Sequence, residues 1–492
     1  MLEAATTPSD GALGTAVLGG GPAGLTAAHV LGLRGERATV FEADGIVGGI
    51  AKTVEFNGFR FDIGGHRFFT KLGPIERLWE DMLGDEFLTR PRLSRIYYEG
   101  DFFAYPLKAG DVVPRLGLWE ASLCALSYMG GRLRLDRRLR KPETFEEWVT
   151  MRFGKRLYDA FFRSYTEKVW GMPGSEIRSA WAAQRIKDFS LVVAMLDVLH
   201  LRRKQVTTLI EEFRYPRLGP GQLWETVADS VEAKGIPVRR RTRCVGLRHD
   251  GERIQRVMAR SNGDRWEYDV EGVVNTLALS DLVQALEPAA PPVVQAAART
   301  LRYRELCLVA LMTDEQEPFP DNWIYLHDPG TRAGRVQNFG AWSPDMVPPG
   351  MTCLGVEYFC FQGDDIWEMP DEEAVELAKT ELGRIGLIDP SRVVDGVKVR
   401  MPKAYPVYDS HYEEAVGIIR EYLEGFSNLV TCGRNGLHRY NNQDHSMWTA
   451  ILATLNLLDG SSHDVWSVNT EAEYHEEGKL VDNLLSDVEL VG

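Results

Sequence analysis

A glycine-rich turn near the amino terminus has the spacing that holds a dinucleotide phosphate. Gly19, Gly21 and Gly24 follow an apolar run at 16–18 and precede an apolar helical pattern at 25–33. The first glycine permits a tight turn, the second lets the backbone approach a pyrophosphate, and the third lets the helix pack against the strand. The amino end of the helix offers free N–H groups and a partial positive charge to the phosphates. A glycine-rich structural turn is the alternative. The residues predicted to contact the cofactor here are Gly19, Gly21, Pro22, Ala23 and Gly24.

An acidic residue after the next β-like run completes the dinucleotide pattern. Residues 38–41 read as a strand that ends at Glu42, about eighteen positions beyond Gly24. A carboxylate at this position accepts hydrogen bonds from ribose hydroxyls. The order strand, glycine turn, helix, strand and acid therefore predicts a nucleotide-binding βαβ unit more strongly than the glycine spacing alone.

A second glycine pair favours FAD over NAD. Gly48 and Gly49 come soon after Glu42, and the sequence Gly64-Gly65-His66 follows. This arrangement resembles flavoproteins of the glutathione-reductase type, in which the chain wraps around the extended cofactor. The resemblance adds Gly49, Gly65 and His66 to the predicted cofactor-binding residues.

The composition excludes several classes of protein. A length of 492 residues predicts two or three domains, and a net charge of -15 argues against nonspecific binding to nucleic acid or acidic lipid. No apolar run approaches the roughly 20 residues that span a bilayer, and residues 1–14 lack the features of a signal peptide. The six cysteines are scattered without a CxxC pair or a zinc-ligand cluster. We therefore expect a cytoplasmic protein with no metal site and no integral membrane segment.

The order of the elements predicts an α/β fold. A βαβ unit at the start and a strand-turn-helix at the end are expected to share one sheet, with other domains inserted between them. The predicted architecture is a Rossmann-like FAD-binding domain with an inserted helical domain and a large antiparallel β-sheet domain. The expected boundaries are 12–90 with 205–290 and 424–465 for the FAD-binding domain, 108–204 for the helical domain, 91–107 with 291–423 for the sheet domain, and 466–492 for an acidic tail.

Local patterns predict individual elements. Residues 54–61 read as a hairpin that turns at Asn57-Gly58, and residues 96–105 read as a second hairpin that turns at Gly100-Asp101. An amphipathic helix is expected from about 446 to 458. The basic run at 132–141 is interpreted as a solvated helix face, with a docking surface as the alternative.

Several segments resemble UDP-galactopyranose mutases, and the eukaryotic-type members look closer than the bacterial ones. Gly64-Gly65-His66 resembles the histidine loop of that family, and 162–170 resembles its helical-domain motif of tyrosine, lysine and tryptophan. The segment 433–445 resembles its flavin and diphosphate signature. Further matching segments are 213–216, 219–224, Gly334-Arg335 and 404–406.

The resemblance implies the residues of the site. The flavin-side residues added by the carboxyl-terminal signature are Gly433, Arg434, Asn442 and Gln443. The implied substrate-binding residues are Arg163, Tyr165, Trp170, Arg335, Trp342, Tyr405 and Tyr440, with Arg185 as a further candidate. Trp342 departs from the family pattern, which has a tyrosine at this position.

The resemblance also implies an unusual use of the flavin. Reduced FAD acts through its N5 atom as a nucleophile at the anomeric carbon of a nucleotide sugar, which changes between pyranose and furanose forms without net redox change. The implied catalytic residues are His66 beside the flavin and Arg335 and Arg434 at the leaving diphosphate, since a guanidinium binds phosphate oxygens bidentately. NAD(P)H is a candidate electron donor, and a homo-oligomer is a candidate assembly.

Two other classes of protein share the opening fingerprint. Flavin amine oxidases, protoporphyrinogen oxidases and carotenoid desaturases would present an apolar or aromatic pocket to the flavin. Rab GDP-dissociation inhibitors use the scaffold without flavin, but intact Gly19, Gly21, Gly24 and Glu42 argue against that class. Each arginine and tyrosine also has a structural alternative, which is a surface ion pair or packing in a core.

Overall fold

The computed structural model describes residues 13–105, 119, 122–124, 126–128, 142–179 and 212–468. Three expectations lie outside the described residues: those on the basic run at 132–141, on Arg185 and on most of the acidic tail. Much of the expected helical domain also lies outside them, and the rest of the fold is assigned as follows.

The strands are numbered in chain order. They are β1 Thr15–Leu18, β2 Ala38–Phe41, β3 Thr53–Phe56, β4 Phe59–Asp62, β5 Phe87–Pro91, β6 Ser94–Tyr98, β7 Asp101–Ala104, β8 Glu212–Pro216, β9 Val238–Arg239, β10 Thr242–His249, β11 Ile254–Ser261, β12 Asp264–Asp269, β13 Gly272–Asn275, β14 Leu286–Glu287, β15 Tyr303–Thr313, β16 Trp323–Leu326, β17 Arg335–Asn338, β18 Thr352–Cys360, β19 Val393–Pro406 and β20 Leu429–Thr431.

The helices are numbered in the same way. They are α1 Pro22–Leu33, α2 Gly73–Leu83, α3 Phe145–Phe153, α4 Lys155–Leu157, α5 Ser164–Trp170, α6 Pro220–Ala233, α7 Leu279–Ala285, α8 Pro292–Thr300, α9 Phe339–Trp342, α10 Asp365–Glu368, α11 Asp371–Arg384, α12 Tyr412–Leu423, α13 Gly433–Gly436 and α14 Gln443–Asp459. A π-helix, Tyr158–Arg163, joins α4 to α5. Within the ranges given above, no helix has the length and apolar character needed to cross a bilayer.

A parallel sheet carries the glycine turn. It has the strand order β20-β13-β1-β2-β9, and β1 pairs with β13 on one side and β2 on the other. All residues of β1, β2 and β13 are buried, which is typical of strands covered by helices on both faces. The segments that follow β1, β2 and β20 leave the same edge of the sheet. In open α/β sheets, that carboxyl edge is where ligands bind.

A seven-stranded sheet forms the second layer of the site. Its order is β19-β15-β18-β17-β16-β6-β7, and its pairs are antiparallel except for the parallel pair of β16 with β6. Alternate residues point to opposite faces of a sheet. One face packs against α11 through apolar residues such as Val336 and Val356. The other face carries Tyr325, Arg335 and Glu357, which therefore point together toward the nucleotide-binding half.

The end of α5 is fixed to this sheet by two cations. Lys168 donates from Nζ to the carbonyl oxygens of Leu326 at 2.9 Å and Asp328 at 2.6 Å, and burial lowers the pKa of Lys168 to about 8. Arg304 is buried and donates to the carbonyl oxygens of Val169 and Lys168 at 3.0 Å each. The position of α5 beside the second sheet is thus set by backbone acceptors rather than by carboxylates.

The structure confirms the α/β class and corrects three local expectations. The first hairpin turns at Asn57-Gly58 as predicted, but the second turns one residue earlier than predicted, at Glu99-Gly100, where both residues have positive φ. The large sheet contains one parallel pair, because β6 comes from a distant part of the chain. The last helix, α14, begins at Gln443 and is buried nearly all round, so it is not amphipathic.

Two glycines inside helices lead to opposite predictions. A Cβ atom on Gly24 would lie 1.9 Å from the carbonyl oxygen of Gly19, whereas a Cβ on Gly417 in α12 would meet nothing within 4 Å. We expect Gly24→Ala to lower the midpoint of thermal unfolding, because overpacking costs about 1–3 kcal/mol. Gly417→Ala is expected to raise the midpoint, since alanine favours a helix over glycine by about 0.5–1 kcal/mol. Equal shifts measured by circular dichroism would contradict this account of the turn.

Candidate functional site

The glycine turn forms a cradle that only small residues can build. Gly19 has φ of 107°, a conformation that other residues rarely adopt, and α1 begins at Pro22 directly after the turn. Gly49 crosses the turn so closely that a Cβ on Gly21 would lie 3.6 Å from its Cα. The amino end of a twelve-residue helix is thus left open to a pyrophosphate.

Glu42 lies beside this cradle at the end of β2. Its two carboxylate oxygens accept hydrogen bonds from the backbone N–H groups of Gly20 and Asp44, each at 2.7 Å. Burial raises the pKa of Glu42, although both backbone donors stabilise the charged form. The predicted ribose-binding carboxylate is therefore held in place next to the phosphate cradle.

The carboxyl-terminal segment closes the cradle from the other side. Gly433 has φ of 80°, and a Cβ there would lie 2.8 Å from the Cβ of Ala23. Gln443 accepts a hydrogen bond at 2.8 Å from Nε1 of Trp224, while Asn442 is exposed at the start of α14. Segments from both ends of the chain converge here, and their donors and close approaches fit an extended dinucleotide such as FAD.

Arg335 forms a buried ion pair at the centre of the second sheet. Its Nε donates to Oε2 of Glu357 at 2.8 Å, and its Nη2 also contacts that oxygen. The Glu357 side chain is 0% exposed and Arg335 is 20% exposed. Strand register places the two residues opposite each other on β17 and β18. Burial opposes the charge, but Glu357 raises the pKa of Arg335 well above its ordinary value.

Arg434 has no such carboxylate among the residues that the structure describes. Its guanidinium donates to the carbonyl oxygens of Asn441 at 2.6 Å and Ala404 at 3.0 Å, and it lies 4.6 Å from the ring centroid of Tyr440. Across the described part of the chain, Arg434 forms no ion pair, and burial lowers its pKa. Carbonyl dipoles orient this cation without neutralising it, so it remains available to an anion.

Two tyrosines connect the arginines. Tyr405 accepts a hydrogen bond at 3.0 Å from Nη2 of Arg335, and its ring stacks on that of Tyr440 with centroids 5.8 Å apart and planes 9° apart. Arg434 lies 5.7 Å from the Tyr405 ring centroid. The structure therefore brings four of the predicted residues, Arg335, Arg434, Tyr405 and Tyr440, into one cluster.

An aromatic wall adjoins this cluster. Tyr165 from α5 stacks on His327 with centroids 4.7 Å apart and meets Tyr325 edge-on at 5.6 Å. Trp170 is buried and contacts the edge of Tyr405 at 6.5 Å. Burial raises the pKa of Tyr165 far above its ordinary value, and the charge of Arg335 acts against that rise. The predicted helical motif thus supplies flat, uncharged surface beside the arginines.

His66 lies on the loop above the second sheet. Its Nδ1 donates to the carbonyl oxygen of Gly64 at 3.2 Å, which leaves Nε2 as an acceptor. Burial, then the positive charge of Arg434, and to a smaller extent that of Arg335, lower the pKa of His66 to about 3. The imidazole is therefore neutral at ordinary pH and close enough to both arginines to sense their charge.

Two residues from the predicted set are not brought to the cluster. Arg163 is 57% exposed and pairs with Glu167 at 3.2 Å on the surface of its own helix, because that side of the helix faces solvent. Trp342 is 1% exposed, and its only N–H donates to the carbonyl oxygen of Asn322 at 2.8 Å. The ring of Trp342 packs against Gly65, since a Cβ on Gly65 would lie 3.1 Å from that ring. It has no donor left for a substrate.

The structure adds three residues that the sequence reasoning missed. Glu357 holds Arg335, and Gln337 donates to the second oxygen of Glu357 at 2.7 Å. Tyr325 lies opposite Arg335 in the strand register and faces Tyr165. Glu357 could have been identified from the sequence, because it is a lone carboxylate inside the otherwise apolar run of β18. A buried charge of that kind requires a partner.

A buried carboxyl group lies beneath the histidine loop. Asp62 is 0% exposed and accepts hydrogen bonds from Oγ1 of Thr53 at 2.9 Å and from the hydroxyl of Tyr215. Burial raises the pKa of Asp62 to about 7, and both hydrogen bonds act against this rise. The loop that carries His66 thus starts from a group that titrates near neutral pH.

Comparisons with known proteins identify similar chains. A model of the family described as flavin containing amine oxidoreductase matches residues 22–412. The chain is 50% identical over 42 residues to a probable UDP-galactopyranose mutase from Klebsiella pneumoniae, and this match spans 8% of the chain and 11% of that relative. A crystal structure of reduced UDP-galactopyranose mutase superposes with a TM-score of 0.81 at 19% identity, covering 96% of this chain and 97% of that one. Wild-type putrescine oxidase bound to putrescine superposes with a TM-score of 0.61 at 13% identity, covering 91% and 99%.

These comparisons confirm the resemblance to UDP-galactopyranose mutases that the sequence motifs suggested. At identities of 19% and 13%, the two solved structures establish a shared fold rather than a shared reaction. The curated relative matches over only 11% of its length, so its activity does not transfer directly. The site residues must carry the argument about function.

The titration of Asp62 predicts a specific pH dependence. Folding raises the pKa of Asp62 from about 4 to about 7, because burial favours its neutral form. The stability that this shift contributes is fully present below pH 4 and is lost as pH rises through 7. We expect Asp62→Asn to lose less thermal stability than the wild type between pH 5 and about 8. The exposed Asp264→Asn variant should keep the wild-type dependence. Parallel melting profiles for Asp62→Asn and wild type would contradict the assignment.

Proposed function

The chain belongs to the flavin-containing amine oxidoreductase family, and on that premise we propose that it binds FAD and interconverts the pyranose and furanose forms of a nucleotide sugar. The observation that carries this proposal is a cluster in which two stacked tyrosines connect Arg335 to Arg434, whose charge no described carboxylate neutralises. A site of this kind suits a group that leaves as a diphosphate anion. The fold similarity to UDP-galactopyranose mutase supports the same function.

The residues of the cradle would hold the cofactor. The glycine turn and the start of α1 suit the pyrophosphate, Glu42 suits a ribose, and the Gly433 segment closes the other side. When bound and reduced, the flavin supplies a nucleophilic N5 atom for the anomeric carbon. The protein then has to orient the sugar and stabilise the charge that develops on the departing diphosphate.

The arginines and tyrosines divide that task. Arg434 offers a charge that no carboxylate in the described residues neutralises, and charge-assisted hydrogen bonds to phosphate are the strong ones. Arg335 is held in a fixed direction by Glu357, so it reorganises little when an anion binds. Tyr405 and Tyr440 add hydroxyl groups without charge. Each charged contact is worth about 2–4 kcal/mol at the transition state, by analogy with oxyanion donors.

His66 is suited to hydrogen bonding rather than to charge stabilisation. Its neutral ring presents Nε2 as an acceptor and adds no third positive charge beside the two arginines. We propose that it accepts a hydrogen bond from the sugar or the cofactor and can pass that proton on. A protonated imidazole at this position would compete with the arginines for the leaving anion.

An oxidase of amines or of apolar compounds is the second candidate. The aromatic wall of Tyr165, Trp170 and Tyr325 would suit such a substrate, and the putrescine oxidase structure shares the fold. An amine substrate is cationic, however, and Arg434 would repel it. The arginine cluster therefore favours the mutase. The two functions can be told apart because the oxidase needs oxygen and the mutase does not.

Several features of the proposed function rest on the sequence resemblance. Activity only in the reduced state, NAD(P)H as the electron donor, a homo-oligomeric assembly and a cytoplasmic location stay predictions. The UDP-galactopyranose mutase structure that shares the fold was solved in its reduced form. That match supports, for this chain, the proposal that the reduced state is the working state.

The redox requirement separates the two candidate functions. We expect dithionite-reduced protein to convert UDP-galactose, or another nucleotide hexose from a panel of UDP, GDP and dTDP sugars, into a furanose isomer resolved by chromatography. The oxidised protein should give no product, because the proposed nucleophile exists only in reduced flavin. Equal turnover by oxidised protein, or oxygen-dependent oxidation of putrescine or a porphyrinogen, would contradict the mutase.

A matched pair of arginine variants tests the anion site. Arg335→Lys keeps a cation opposite Glu357 but loses the planar fork that also reaches Tyr405. We expect kcat/KM to fall by about 10²–10³-fold, while bound flavin, measured by absorbance, stays at the wild-type level. Arg163→Lys is the control, since this arginine is on the surface, and its kcat/KM should not change. Loss of activity in Arg163→Lys alone would reverse the assignment.

A further inference from the structure

Two cysteines meet on the face of the large sheet that is turned away from the arginine cluster. Cys307 in β15 and Cys360 at the end of β18 have their Sγ atoms 3.7 Å apart. Both side chains are buried in the apolar layer that packs against α11. All six cysteines of the chain are free thiols. The two sulfur atoms are therefore in contact, whereas in a disulfide they would lie about 2.0 Å apart.

The strand register places the two cysteines diagonally. Cys307 is opposite Tyr358 and Cys360 is opposite Glu305, so the cysteines are two positions apart on neighbouring antiparallel strands. Diagonal neighbours have Cα atoms about 7–8 Å apart, whereas the Cα atoms of a disulfide lie about 4.4–6.8 Å apart. A bond between the two sulfur atoms would thus move β15 and β18 relative to each other by about 1 Å.

Two cations from β19 lie beside Cys307. Arg400 is opposite Cys307 in the strand register. The Nζ atom of Lys398 donates a hydrogen bond at 2.7 Å to the carbonyl oxygen of Ile366, and the Sγ atom of Cys307 contacts the same oxygen at 3.8 Å. Because the sulfur and the ammonium share one acceptor, the positive charge lies close to the sulfur.

These neighbours favour the thiolate form of Cys307. The hydrogen bond from the Cys360 thiol, and after it the charges of Lys398 and Arg400, hold the pKa of Cys307 below its ordinary value, although burial acts against them. The same hydrogen bond, together with burial, raises the pKa of Cys360. The thiolate is the nucleophilic form of cysteine. The pair therefore has the arrangement of a redox sensor, in which a reactive cysteine lies next to a resolving one.

The backbone around Cys360 is connected to the substrate side of the sheet. The ring of Phe359 lies 5.6 Å from that of Tyr405. Arg304 donates to the carbonyl oxygen of Phe359 at 2.8 Å, and its guanidinium lies 4.2 Å from the ring centroid of Phe361. Arg304 also fixes the end of α5. A movement of Cys360 would therefore change the packing against Tyr405 and the position of α5.

We propose that Cys307 and Cys360 form a peroxide-sensitive pair whose disulfide weakens substrate binding at the arginine cluster. The Cys307 thiolate attacks one oxygen of hydrogen peroxide, the O–O bond breaks, and hydroxide leaves while Cys307 becomes a sulfenic acid. The Cys360 sulfur then displaces the hydroxyl group of that sulfenic acid, which leaves as water with the proton of Cys360. Two electrons pass from the sulfur atoms to the peroxide, and the hydroxide takes up the proton that Cys307 had released.

Peptide mapping of the full chain tests the bond directly. The FAD-loaded protein is treated with hydrogen peroxide, its remaining thiols are alkylated, and its peptides are analysed by mass spectrometry with and without dithiothreitol. We expect a link between the Cys307 and Cys360 peptides that dithiothreitol reverses. In Cys360→Ala, Cys307 should stop at a sulfenic acid that dimedone captures. Failure of the two cysteines to link in the wild type would overturn the inference.

Cys244 is the matched control for exposure. It is half-buried in β10, and burial raises its pKa to about 12, so it remains a thiol. If exposure alone decided reactivity, peroxide would modify Cys244 before the fully buried pair. We expect the reverse order, and Cys244→Ala should form the same link as the wild type. Faster loss of the Cys244 thiol than of the pair would contradict the assignment of Cys307 as a thiolate.

Ligand binding measures the effect of the disulfide on the site. This part of the inference rests on the proposed function, whereas the link between the cysteines does not. We expect the linked, FAD-loaded protein to bind UDP-galactose about tenfold more weakly in calorimetric titrations, the loss for one misplaced hydrogen bond to a charged group. Dithiothreitol should restore the affinity, and this comparison requires no variant.

A variant separates the disulfide from other effects of peroxide. Cys307→Ala should bind UDP-galactose like the untreated wild type and keep that affinity after peroxide. Unchanged affinity in the linked wild type, or a loss of affinity in treated Cys307→Ala, would overturn the control of binding by this pair.

The two measurements also separate the inference from the proposed function. If untreated protein binds and isomerises UDP-galactose but the cysteines do not link, the cysteine pair is wrong and the mutase stands. If the cysteines link but the untreated protein binds no nucleotide sugar, the proposed function is wrong, and the disulfide has no substrate site to control. A reversible link that weakens the binding of UDP-galactose supports both.

Discussion

The buried ion pair between Arg335 and Glu357 is the interaction on which the site depends. Glu357 is completely buried, and its second oxygen is occupied by Gln337. Gly64, at the base of the histidine loop, packs against the same carboxylate, since a Cβ there would lie 3.7 Å from it. Breaking such a pair from one side costs about 3–5 kcal/mol, because it leaves a charge unpaired in the interior. The sheet, the loop and the tyrosines are therefore fixed relative to one another.

The two arginines of the site differ in whether a carboxylate compensates their charge. Arg335 is neutralised by Glu357, whereas the described residues offer Arg434 carbonyl oxygens and no carboxylate. The interior thus supplies one rigid, paired guanidinium and one that requires a counter-ion from outside. Neutral His66, on which the charges of both arginines act, adds no third positive charge to their repulsion.

Much of the site could be predicted from the sequence, and the failures have a common cause. Tyr405 and Tyr440 were predicted from short motifs, and the structure brings them to the arginines. Arg163 belongs to an equally good motif, but the phase of its helix turns it to solvent. Trp342 was expected to face the substrate, yet it is the last residue of α9, the short helix that follows β17, and its side chain lies in the core. A motif identifies a segment, whereas the direction of one side chain depends on the neighbouring segments.

The sequence by itself determined the nucleotide cradle, the α/β class and the family. The reason is that the glycine turn, the helix start and Glu42 lie within one short segment and depend on backbone conformation that glycine permits. Only the tertiary structure decided which cations have partners. Arg335 reaches Glu357 across 22 positions and Tyr405 across 70, so their charges are matched by strand register and not by local pattern.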